Sequence, residues 1–176
     1  AVADVNKDGY LDIISTDYGP RTGIGFGGPN GFDYKSTDWR GPFGPSGIAA
    51  ADFLGDGTVT IMTSDDSKVN GGAGLYRWSV DTEGELTLSL ISKLPSPMFE
   101  NTEKWGSYKF SSSHDVRIIP FDFSGDGLFD AIQISRPHLT NGQWPQYSEV
   151  QFLLNMGAGV FIDVTDSKLS GYDNTT

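Results

Sequence analysis

The sequence predicts an all-β fold of about three repeated units, each of four short antiparallel strands. Three observations predict it. Segments 2–16 (VADVNKDGYLDIIST), 50–64 (AADFLGDGTVTIMTS) and 120–134 (PFDFSGDGLFDAIQI) align without gaps, each with an Asp, then Asp-Gly four residues later, then an apolar run. A second strand pair around a turn follows each of them, at 22–37, 72–92 and 149–166. No window keeps apolar residues at helical spacing for long. The 23 glycines and 9 prolines of the 176 residues suit many turns and short strands.

The first unit, 1–46, reads as strand, acidic loop, strand, longer loop, then a hairpin turning at GGPNG. The second, 47–113, repeats this order and turns at DTEGE. The leading aspartates are Asp4, Asp52 and Asp122, so the second interval is longer than the first. Residues 92–113, rich in Ser and Pro, read as an inserted loop. The third unit, 114–176, turns at NMGAG. A four-stranded sheet cannot cover both its own faces, so such units stack. A closed propeller has ~4–8 blades. Three units therefore predict a β-propeller segment, with further blades supplied by the parent chain or a partner, and the chain reads as a piece of a longer one.

The acidic loops carry the chemistry. Calcium takes roughly 6–8 oxygen ligands, and a tight loop can supply most of them. In the first loop the spacing assigns Asp4, Asn6 and Asp8 as side-chain ligands, Tyr10 through its carbonyl, and Asp12 as a bidentate fifth. The third loop repeats the pattern with Asp122, Ser124, Asp126, the Leu128 carbonyl and Asp130. The second keeps Asp52 and Asp56 but has Leu54 and Thr60 at two ligand positions, so it is expected to bind weakly or not at all. Magnesium fits less well, since it takes fewer protein ligands and keeps its waters. A helix-flanked calcium hand needs a carboxylate at the twelfth loop position, where Ser15, Thr63 and Gln133 stand. The competing explanation is an ordinary Asp-Gly hairpin turn, which regular recurrence disfavours.

DVNKDGYLDII and DFSGDGLFDAI resemble the calcium loops of FG-GAP and VCBS repeats, the units of integrin-α-like β-propellers. FLLNMGAGVFIDVTD is similar to that family's closing hairpin, and FGGPNGFDYKS resembles the same element. The resemblance covers almost the whole chain. It implies calcium at the blade loops and an extracellular or cell-surface location. It carries over to Asp4, Asn6, Asp8, Asp12, Asp122, Ser124, Asp126 and Asp130, while Leu54 and Thr60 depart from the pattern.

Composition narrows the function classes. The formal net charge is −11, from 23 acidic and 12 basic residues, which argues against a nucleic-acid partner. With no cysteine, disulfides, thiolate metal sites and cysteine nucleophiles are excluded. No apolar run approaches the ~18 residues of a membrane span. GIGFGG, residues 23–28, matches a dinucleotide fingerprint only formally, because Pro29, Asn30 and Gly31 follow and no helix can begin there. His114 and His138 lack a nearby ligand motif, no Gly-x-Ser-x-Gly elbow occurs, and a terminal Asn-Thr-Thr is a weak glycosylation signal. Most aromatics read as packing between units, Trp78 among them. Trp105, in the insertion, and Trp144, in the candidate loop 136–147, read instead as surface ligand contacts. The sequence thus predicts a non-catalytic, calcium-binding module for adhesion or recognition of an extracellular protein or glycan. A lectin propeller and the accessory propeller of a secreted hydrolase are the alternatives.

Overall fold

A computed structural model describes residues 1–16, 22–37, 47–64, 74–95, 110–139 and 148–169. The described residues are all-β apart from one short helix, with three four-stranded antiparallel sheets. The first holds β1 (Val2–Ala3), β2 (Asp12–Thr16), β3 (Thr22–Phe26) and β4 (Asp33–Thr37). The second holds β5 (Gly47–Ala51), β6 (Thr60–Ser64), β7 (Gly74–Val80) and β8 (Leu86–Lys93). The third holds β9 (Phe110–Pro120), β10 (Ala131–Leu139), β11 (Glu149–Asn155) and β12 (Phe161–Asp163). Within each sheet the strands lie side by side in chain order. Each acidic segment joins a sheet's first two strands, and each glycine-bearing turn joins its last two.

The turn residues fix the hairpins. In the second sheet Asp81 N donates to Glu85 O at 3.0 Å, and the Asp81 side chain accepts from Glu83 N and Glu85 N. In the third sheet Met156 N donates to Val160 O at 2.8 Å. Gly159 there, at φ +77°, also needs its missing side chain: a Cβ would lie 3.1 Å from both Ile91 and Leu75.

The sheets stack with the second in the middle. β6 shows why: all five residues of TIMTS are buried. Its Ile61 joins Val5, Ile14 and Ile24 of the first sheet, together with Leu86. Its Met62, pointing the other way, joins Ile118, Ala131, Leu153 and Phe161 of the third. The alternation of β5 does the same, with Ala49 and Ala51 in one cluster and Ile48 and Ala50 against the other. The two end sheets each leave an apolar face outward. Val2, Ile13 and Tyr34 lie in a cross-strand row on the first sheet and are 61%, 44% and 59% exposed. Ile119 and Ile162 are among the exposed apolar residues of the third.

Three details differ from the sequence reading. Residues 92–93 belong to β8 and 110–113 to β9, so the inserted connection is shorter than 92–113 and the third sheet begins ahead of residue 114. The serine run that read as loop is held in register by a long partner, with Ser113 opposite Pro137 and Ser112 opposite His138. Residues 136–139, expected to open a loop, are the other half of that ladder. Finally, a single helical turn, α1 (Thr165–Lys168), follows β12. Asp163 nucleates it by accepting from Thr165 N at 2.9 Å.

Candidate metal centre

The three acidic loops share one hydrogen-bond plan. The leading aspartate accepts through Oδ2 from the glycine amide five residues on: Asp4 from Gly9 at 2.9 Å, Asp52 from Gly57 at 2.7 Å, Asp122 from Gly127 at 3.0 Å. The aspartate before that glycine accepts through Oδ1 from the amide two residues on: Asp8 from Tyr10, Asp56 from Thr58, Asp126 from Leu128. The glycine has positive φ in all three, +91°, +80° and +89°, a conformation without steric cost only when there is no Cβ. The fourth position shares that left-handed turn in all three loops, at φ +62°, +69° and +79°, so Asp-x-x-x-Asp-Gly with a left-handed fourth residue writes the turn.

The remaining positions separate the loops. At the third position Asn6 donates through Nδ2 to Asp8 Oδ2 and accepts from Asp8 N, and the Ser124 hydroxyl donates to Asp122 Oδ1, whereas Leu54 packs against the core. At the ninth, Asp12, Thr60 and Asp130 are all fully buried. Asp12 accepts from Val5 N at 2.7 Å and Gly27 N at 2.8 Å. Asp130 accepts from Phe123 N and Ser124 N, both at 3.0 Å, and from Asn155 N at 2.8 Å. Thr60 donates once, to Ala51 O at 3.2 Å. The two aspartates thus fasten the loop entrance to the far hairpin, which a threonine does not do.

The loops are also neighbours. A Cβ on Gly57 would lie 3.3 Å from Lys7 Nζ of the first loop, and one on Gly55 would lie 2.6 Å from Leu128 of the third. Lys7 holds φ +62° where the other loops have Gly55 and Gly125. Arg77 Nη2 reaches Asp56 Oδ2 at 3.4 Å, so the second loop has protein cations beside it. The Asp56 carboxyl is held below its ordinary value, first by the Thr58 hydroxyl and backbone amide, which outweigh an opposing desolvation, and last by Arg77. Desolvation pushes the Asp122 carboxyl up, but bonds from the Gly125, Gly127 and Asp126 amides and the Ser124 hydroxyl outweigh it, and the net displacement is downward.

The donor set fits a hard cation in kind: carboxylate, amide and hydroxyl oxygens with no nitrogen or sulfur ligand. A carboxylate offers about four lone-pair sites, so the bonds of Asp12 and Asp130 leave capacity on each. In shape the fit is partial. Among the described residues no three His, Cys, Asp or Glu side chains converge into a metal-holding group, and the loop carboxylates face backbone amides. Tyr10 is 45% exposed and Leu128 half-buried, both on the turn that would offer their carbonyls.

Trp105, Trp144 and most of the two candidate ligand loops lie outside the described residues. Trp78 is half-buried in β7, packs against Phe26 at 5.6 Å and donates from Nε1 to Val59 O. The sequence reading missed Asn155, whose Nδ2 donates to Phe129 O at 2.9 Å and, across the seam, to Phe53 O at 2.7 Å. Its only signal was its place at the head of the NMGAG turn. No family model, curated protein or solved structure matches this chain.

Proposed function

We propose that the chain is a segment of a calcium-stabilised β-propeller that serves as a non-catalytic recognition or adhesion module outside the cell or at its surface. The observation that carries this reading is the repetition of one acidic-loop plan at the same junction of three stacked four-stranded sheets. The outward apolar faces of the two end sheets support it as well, since further blades stacked there would remove that surface from water.

In this reading calcium sits at the first loop, on Asp4, Asn6, Asp8, Asp12 and the Tyr10 carbonyl, and at the third, on Asp122, Ser124, Asp126, Asp130 and the Leu128 carbonyl. The cation supplies positive charge to carboxylates that otherwise repel one another. The chain's own residues set the loop path and bury the ninth-position aspartate. The second loop takes no cation, because Leu54 offers no oxygen and Arg77 already neutralises Asp56. The role is structural, and ligand contacts come from the loops at the opposite end of the strands.

Calorimetric titration with calcium, with melting measured in calcium and in excess chelator, tests this. Two bound ions and a melting temperature several degrees higher in calcium are expected, as mass action requires for a ligand of the folded state. Identical melts in calcium and chelator, with no heat of binding, would sink the cation assignment.

A further inference from the structure

Gln133 lies near the start of β10, on the face turned toward the second sheet. Its cross-strand neighbours are Ile118 on β9 and Gln151 on β11. It is 1% exposed, and among the described residues neither its Oε1 nor its Nε2 has a hydrogen-bond partner. Ser135, the next residue on the same face, is 3% exposed. On the facing sheet Ser64 is 1% exposed and its Oγ is also without a partner. Both groups sit on the same side of the apolar cluster. Ser64 comes two residues after Met62, and Gln133 two after Ala131, each moving away from the acidic loops. These two buried polar groups of the seam between the second and third sheets therefore lie on the side away from those loops.

A buried amide left unbonded costs roughly 2–7 kcal/mol depending on the reference state, too much for a fold of ordinary stability to leave unanswered. Gln133 needs an acceptor at Nε2 and a donor at Oε1. A metal cation answers only the oxygen and an anion only the nitrogen. A hydroxyl-bearing guest answers both. Ile118 and Gln151 on either side of Gln133 are both buried, so the guest is small or enters as a single arm. We infer that the end of this seam away from the acidic loops binds a hydroxyl-bearing guest, either water or one hydroxyl arm of a saccharide, held by the Gln133 amide with the Ser64 hydroxyl alongside. This inference is independent of the cation reading.

A high-resolution crystal structure of the whole chain, alone and soaked in glucose, galactose or N-acetylglucosamine, reads the site directly. The expected result is an oxygen within about 3.2 Å of both Gln133 amide heteroatoms. If it stays an isolated oxygen in every soak, the guest is water. If sugar density replaces it, the guest is the saccharide, and that sugar should raise the melting temperature of the wild type more than that of Gln133→Met. The variant controls for the general stabilisation that sugars give by exclusion. No oxygen at that place, or a Gln133 amide bonded to protein groups, overturns the inference, and both are read on the wild-type protein whether or not the variant folds.

Discussion

The second and third acidic loops follow the same backbone path with different contents. Both close through the leading aspartate and both turn on a glycine. The third then buries a carboxylate that gathers three amides from two separate segments, while the second buries a threonine that makes one bond nearby. A loop's shape and its hold on the rest of the sheet are thus set by different residues. Asp, Asp and Gly, with a left-handed residue at the fourth position, make the turn; the ninth position ties it down. Where that tie is missing, Lys7 and Arg77 stand beside the loop from outside.

The largest expected break of this comparison is Asp130→Ala. It takes the acceptor from three amides, the buried one of Asn155 and the part-buried ones of Phe123 and Ser124, and should cost on the order of 3 kcal/mol in denaturant unfolding, against about 1 kcal/mol for Thr60→Ala. Equal losses at the two positions would mean that the ninth residue does not distinguish the loops.

How much of this could be read beforehand follows the same division. Asp4, Asp8 and Gly9 act within a few residues of one another, so their spacing betrays the turn, and three repetitions betray the sheets. Asp130 was visible as an acid at the right interval, but not its bond to Asn155, because nothing local says which distant amide a buried carboxyl will meet. Asn155 with Phe53, and Arg77 with Asp56, belong to the same class of long-range contact. β9 failed for another reason: a serine run has no apolar alternation, and only its pairing with β10 makes it a strand.

A smaller effect sharpens the comparison from the other side. Arg77→Met should change the melting temperature little, since the pair is half exposed. Combined with Leu54→Asn and Thr60→Asp, it rebuilds the second loop in the image of the first. Calorimetry should then count one calcium ion more than it counts on the wild type, and an unchanged count would show that ligand type does not limit the second loop.

The smallest effect is in pH. The Asp56 and Asp122 carboxyls lie below the ordinary 3.8 in the folded chain, so the stability they contribute is present above that value and is lost as pH falls through their lower folded values. These two groups should leave calcium-free melting flat between about pH 5 and 7 and contribute a decline only below about 4. A decline already present near pH 6 in Asp56→Asn and Asp122→Asn alike would have to come from other groups.

The bond from Asn155 to the Phe53 carbonyl joins residues 102 positions apart. A ribosome delivers Phe53 long before Asn155, so a growing chain must carry that oxygen without its final partner while both intervening hairpins emerge. The middle sheet therefore reaches its finished state only when the hairpin that carries Asn155 docks, and a later-made stretch of the polypeptide locks an earlier one.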